Sequence, residues 1–221
     1  VVAGSPRLAQ HLQRLHPLVR MIEEAVDQRY FDVQRQKHDG IRAAWCGMHD
    51  NLTYFDEIDD VLERLSKKHD FTIHIVCPAL DGLKKSNEAK VRKKAYRAVF
   101  HEWTMDALLE QMGLADMAIV PLFQNEWAAG KCCNKVASFA AAGLPVVASD
   151  VPSYRAVMTS GVDSFLCYTD EEWHRCLSAL FSDEALRNKM GKAAKKTIND
   201  ALRIDVIASQ WMGFFQEIRP R

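Results

Sequence analysis

Residues 121–149 read P-L-F-Q-N-E-W-A-A-G-K-C-C-N-K-V-A-S-F-A-A-A-G-L-P-V-V-A-S, and the fold is decided here. The run Asp116-Met-Ala-Ile-Val120 just before it is apolar and stops at Pro121, the pattern of a short buried strand. A polar and aromatic loop leads to Gly130-Lys131. The alanine-rich run after it predicts a helix that Gly143 terminates. Pro145-Val-Val-Ala-Ser149 predicts a second strand. Strand, loop, helix and strand in that order form the βαβ unit of an open parallel sheet.

Open α/β sheets take ligands outside the carboxyl ends of their strands. A helix start there offers unpaired N–H groups and the positive end of a dipole. Lys131 and Lys135 are four residues apart, so they share one face of the first turns. Lysine opposes the dipole at that end. A bound phosphate would explain it; the plainer alternative is that both side chains face water. The stretch therefore predicts an anion site made of Lys131, Lys135 and the N–H groups of residues 131–134.

Working outward, Ser5-Pro6 is an N-cap followed by a first helical residue, with a helix to about Arg14. Residues 18–22 read as extended, and 23–40 as a polar linker anchored by Tyr30-Phe31. Strands are predicted at 41–46, 71–76, 96–100 (weakly) and 164–168. Apolar residues at helical spacing predict helices over 52–66, 104–112, 183–199 and 203–218, with a basic crossover helix over 83–95 and a short one over 152–158. Thr169-x-x-Glu172 is a capping box, with Trp173, Cys176, Leu177 and Leu180 as the stripe behind it. Six short strands separated by helices predict a three-layer, Rossmann-like α/β domain with a parallel sheet of about six strands. The divisions expected are 1–40, 41–200, and a C-terminal helix over 201–221 whose aromatic face must dock somewhere.

Lysine plus arginine and aspartate plus glutamate each number 29, so the 221-residue chain has no formal net charge and no global field for nucleic acid. The basic residues Lys84, Lys85, Lys90, Arg92, Lys93, Lys94 and Arg97 read first as a solvated helix face, second as a contact for an anionic partner. Six cysteines show no zinc spacing, and reduced thiols in a cytosolic compartment fit them best. No apolar run approaches membrane-spanning length. There is no signal-peptide pattern and no initiating methionine, so the chain reads as part of something longer.

After the first predicted strand, Gly47 permits a tight turn and a close ligand approach. His49 beside it is either a donor to a phosphate or sugar hydroxyl or an ordinary loop histidine. After the third strand, Phe100 and Trp103 could pack on a nucleobase, or Trp103 could be core. His74, inside a strand, reads as structural. Neither G-x-G-x-x-G nor a P-loop is present, which disfavours NAD-linked chemistry.

Several runs in this order resemble the C-terminal, donor-binding domain of GT-B-fold glycosyltransferases of group 1 (family 4). They are Ala-Trp-Cys-Gly47 with Asn51-Leu52, Leu114 to Leu122, Gly130-Lys131-Cys132-x-x-Lys135, residues 140–149, Val151-Pro-Ser-Tyr154 and residues 186–191. The resemblance implies a retaining transfer from a nucleoside-diphosphate sugar, and it makes residues 1–40 the tail of a preceding N-terminal domain plus a linker. A glycan or lipid-linked acceptor would bind through that missing domain, with at most peripheral membrane contact and no nucleic acid. It implies that Gly130, Lys131, Cys132, Cys133, Asn134, Lys135 and Ser138 touch the donor, with Lys131 at the leaving diphosphate and Asn134 on the sugar or the diphosphate as the catalytic pair. Two glutamates common in the family would fall at Gly130 and Ser138 and are absent; Glu126 is a substitute carboxylate outside the usual register. No Asp-x-Asp occurs, so no metal or other cofactor is expected. An epimerase of the same fold and a degenerate, non-enzymatic binding domain are the alternatives.

Overall fold

The computed structural model describes residues 1–78 and 84–218, apart from the side chain of Lys84. Strands β1 (Val2–Ala3) and β2 (Arg20–Met21) pair in parallel around helix α1 (Pro6–Gln13), forming a small sheet separate from the main one. Ser5 caps α1 and Pro6 begins it, because proline's missing N–H is one the first turn cannot use. The connector carries α2 (Gln28–Phe31), whose Phe31 is buried.

The main domain then runs β3 (Ile41–Cys46), α3 (Asp59–Ser66), β4 (Phe71–Cys77), α4 (Lys84–Arg92), β5 (Ala98–Glu102), α5 (Met105–Gly113) and β6 (Met117–Val120). It continues through α6 (Glu126–Ala129), α7 (Asn134–Ala141), β7 (Val146–Ser149), α8 (Pro152–Arg155) and β8 (Ser164–Cys167). Helices α9 (Asp170–Ser182), α10 (Glu184–Leu202) and α11 (Ile204–Glu217) close it.

All six main strands are parallel, in the order β5-β4-β3-β6-β7-β8. Alternate residues feed two cores. Ala44, Ala118 and Val146 pack with α5, α7 and α10; Trp45, Ile73 and Met117 pack with α3 and α9. Burial on both faces is why the central strands read as unbroken apolar runs. The chain leaves β3 toward one edge and returns to β6 toward the other. The β3/β6 boundary is therefore the switch point at which open sheets gape.

Some sequence expectations shift. The 52–66 helix is instead a 3-10 helix (His49–Glu57) followed by α3, with the break at Ile58. The loop after Pro121 contains the short α6, capped by Asn125. The 152–158 helix ends at Arg155, and the weak strand lies two residues later than read, as an edge strand. The capping box at Thr169 forms as written. Three of the seven basic residues are ion-paired, Arg92 with Glu88, Lys94 with Asp56 and Asp59, and Arg97 with Asp70, and the Lys94 side chain is largely buried. Residue 83 and the Lys84 side chain lie outside the described residues. In α11, Ile207 and Phe214 are buried and Trp211 packs on the core, whereas Ile204, Met212 and Phe215 stay exposed.

The turn that ends α7 is held by α10. Gly143 adopts φ +79°, and a Cβ on Gly191 would stand 2.2 Å from the Gly143 carbonyl oxygen. Neither backbone can yield, so Gly191→Ala is expected to destabilise the domain by about 1–3 kcal/mol. Urea unfolding with an unchanged midpoint would contradict this contact.

Candidate functional site

Because β3 and β6 are neighbours, the turn after Cys46 and the loop after Val120 rise side by side. From the first, the 3-10 helix brings in Tyr54, whose ring meets Phe123 of the loop edge-on at 4.8 Å. From the second come the two lysines. Lys131 Nζ donates to Tyr54 Oη at 2.6 Å and lies 4.6 Å from that ring's centre. Lys135 Nζ lies 4.7 Å from the centre of the Trp45 ring and 6.0 Å from that of Tyr54.

The Lys135 ammonium is buried and finds no hydrogen-bond partner among the described residues. Gly47 leaves the room for it, since a Cβ there would stand 2.7 Å from Lys135 Nζ and 2.6 Å from the Trp45 ring. Burial, more than any other cause, pushes the Lys135 pKa down to about 8, and Lys131 pushes the same way. Ring faces attract a cation by about 0.5–2 kcal/mol each, which offsets only part of the desolvation.

Helix α7 starts at Asn134, and its N-cap Cys133 makes no side-chain bond to the first turn. Lys131 sits in the turn before the helix and spends its own N–H on the Ala128 carbonyl at 3.1 Å. It therefore adds an ammonium but no backbone donor, which narrows the N–H set expected from 131–134. The lysines also converge for a different reason than expected. They meet through the Tyr54 ring, and only Lys135 lies on the helix.

Two acidic residues after β2 reach the same helix start. Glu23, 7% exposed, accepts from Cys133 Sγ at 3.6 Å, and its Oε1 is buried without a partner among the described residues. Burial raises its pKa. Glu24 accepts from Asn134 Nδ2 at 2.5 Å.

The remaining expected residues divide. Gly130 accepts from Ser5 Oγ at 2.9 Å, and Cys132 lies against Gly4, so the 130–133 turn is fastened to the first segment of the chain. Ser138 Oγ turns back onto the Asn134 carbonyl at 2.8 Å. Glu126 is held by Arg7 of α1 at 2.6 Å rather than standing free as a substitute carboxylate. His49 pairs with Asp50 at 2.9 Å. Phe100 is half-buried on the second core, whereas Trp103 is 43% exposed and is not core. Phe100 lies within β5 and Trp103 directly after it, with β4 between them and the lysines. His74 does not act alone: its Nδ1 meets His101 Nε2 at 2.9 Å. All six cysteines are free thiols. Among the described residues, no three His, Cys, Asp or Glu side chains gather to hold a metal, and no helix is long and apolar enough to cross a membrane.

Trp45, Tyr54, Glu23, Glu24 and Arg7 were not legible as site residues. The first two sit in runs that read as core, and the others in segments that read as linker or separate helix.

The family model described as glycosyl transferases group 1 matches residues 43–183, well over half of the chain. The chain belongs to that family. No curated protein matches it. Among solved structures, this group 1 glycosyltransferase chain is similar to a glycosyltransferase from Rickettsia africae (TM-score 0.79, 16% identity, 99% of this chain and 63% of that one). It is also similar to sucrose-phosphate synthase from Thermosynechococcus elongatus (0.75, 15%, 99% and 58%). A third is Anabaena HepE, solved with UDP and glucose (0.79, 14%, 99% and 63%). The chain spans about three fifths of the length of these proteins. At such identities the likeness establishes the fold alone, one half of a GT-B architecture.

A buried cation without a counter-charge should weaken the fold. In the folded chain Lys135 titrates near 8, against roughly 10.4 when unfolded. Between those values the unfolded chain holds more protons, so stability rises with pH across that window. Lys135→Met is expected to stabilise the chain by about 1–3 kcal/mol at pH 7, with the gain shrinking from pH 8 to 10. A variant less stable than the parent at pH 7 in thermal or urea unfolding would mean that the ammonium already has a partner.

Proposed function

We propose that this chain is the donor-binding part of a retaining glycosyltransferase that uses a nucleoside-diphosphate sugar. One observation carries the reading: two ammonium groups converge, without an ion-pair partner among the described residues, at an uncapped helix start in the switch-point crevice. A diphosphate supplies the missing negative charge. That the structural relative HepE was solved with UDP and glucose supports UDP as the first nucleotide to try.

In this reading Lys131 and Lys135 take the diphosphate oxygens, and the N–H groups at the start of α7 add to them. Their task is greatest as the bond from the anomeric carbon to the phosphate oxygen breaks and charge gathers on the leaving group. With cations in place, no divalent metal is required. Glu23 and Glu24, not Glu126, are the carboxylates beside the helix start, where the family's usual glutamates are lacking. Glu126 is also lost to the epimerase reading, since Arg7 already holds its carboxylate. Residues 1–40 are read as the end of a preceding domain and its linker, and their separate two-stranded sheet supports this. The acceptor would approach from that side.

Calorimetry with UDP tests the reading. Lys131→Ala is expected to weaken binding about tenfold or more, the loss of one charge-assisted contact, with thermal stability kept. Equal affinity in the parent and the variant would contradict the assignment.

A further inference from the structure

A cavity of about 600 Å³ lies between α1 and the turn at Gly130, within the range of small-molecule sites. Leu8 and His11 of α1 and Arg14 at its C-terminal cap line one side, and Trp127 and Lys131 line the other. Its character is set by two features.

The first is apolar surface left open in a concave place. Trp127 is 76% exposed and Leu8 43%. An indole is a large flat face, and leaving it open beside polar groups suits a flat-faced ligand with a polar edge.

The second is one-sided charge. Among the described residues, Glu126 is the only carboxylate in the lining, and it accepts from Arg7 Nε at 3.0 Å and Nη2 at 2.6 Å. Arg14 and Lys131 have no ion-pair partner among the described residues, and the His11 imidazole lines the cavity beside them. The Arg7–Glu126 pair also links α1 to the helix that carries Trp127.

We propose that this cavity receives the acceptor, and that the acceptor is a sugar bearing a phosphate or carboxylate group. Its ring lies on the Trp127 indole, and its anionic group meets Arg14 and His11. Arginine forks onto either anion with two parallel N–H bonds. The proposal rests on the donor reading, because Lys131 borders both places. A ligand seated in the cavity is then next to the bond that breaks.

The test is a set of titrations of the 221-residue chain, followed by tryptophan fluorescence and calorimetry, with glucose, glucuronate, glucose 6-phosphate and inorganic phosphate. Glucuronate and glucose 6-phosphate are expected to bind at least tenfold more tightly than either glucose or phosphate. Arg14→Gln combined with His11→Gln should remove most of that advantage, and Trp127→Ala should weaken all three sugars. Equal binding of glucose and its phosphate overturns the proposal, as does phosphate alone binding as well as glucose 6-phosphate. Failure of all four probes while UDP still binds also overturns it and leaves the donor site standing. Failure of UDP itself falls on the donor reading instead.

Discussion

Lys135 carries its ammonium into the interior between the rings of Trp45 and Tyr54, where no carboxylate among the described residues meets it. Ring faces are weak partners for a buried charge, and Lys131 adds a second charge of the same sign across the Tyr54 ring. Such an arrangement costs folding free energy. It makes sense as a vacancy shaped for negative charge, in the way that functional sites are often the least stable parts of a fold.

The rest of the chain holds this arrangement in place. The change in winding direction at β3/β6 opens the crevice between parallel strands, and the lack of a side chain at Gly47 lets Lys135 lie against the turn. Packing of α10 on the Gly143 turn fixes the far end of α7. At its near end, Ser5 grips Gly130, while Glu23 and Glu24 bond to Cys133 and Asn134. The first 24 residues therefore touch the helix start as closely as the main sheet does. That contact is where donor and acceptor sides would meet.

The fold was readable because its signals are local. Short apolar runs with a proline or glycine nearby marked every main strand but the edge strand β5, which was read weakly and two residues early, and Thr169 with Glu172 marked a helix start that forms as expected. Where the reading slipped, a local rule was overridden. The stripe from Leu52 to Ser66 has helical spacing, yet the chain runs as a 3-10 helix through Glu57, and Tyr54 on it meets Lys131. The lysines were legible from their place before an alanine-rich helix. Their partners were not, because Trp45 looks like any strand residue and Glu23 lies 110 residues from Cys133. Glu126 carried the opposite lesson: its chemistry was right, but Arg7 had claimed it first.

The central claim, that an unpaired buried ammonium awaits a diphosphate, is tested most directly by counting protons during binding. Lys135 is half-charged near pH 8, and an arriving dianion or trianion must raise its pKa. Calorimetric titration of UDP at pH 8 in two buffers of different ionisation enthalpy measures the protons taken up. The account predicts net uptake of up to about half a proton per UDP, abolished in Lys135→Met. UDP binding with no buffer dependence, or with the same uptake in the variant, would contradict it.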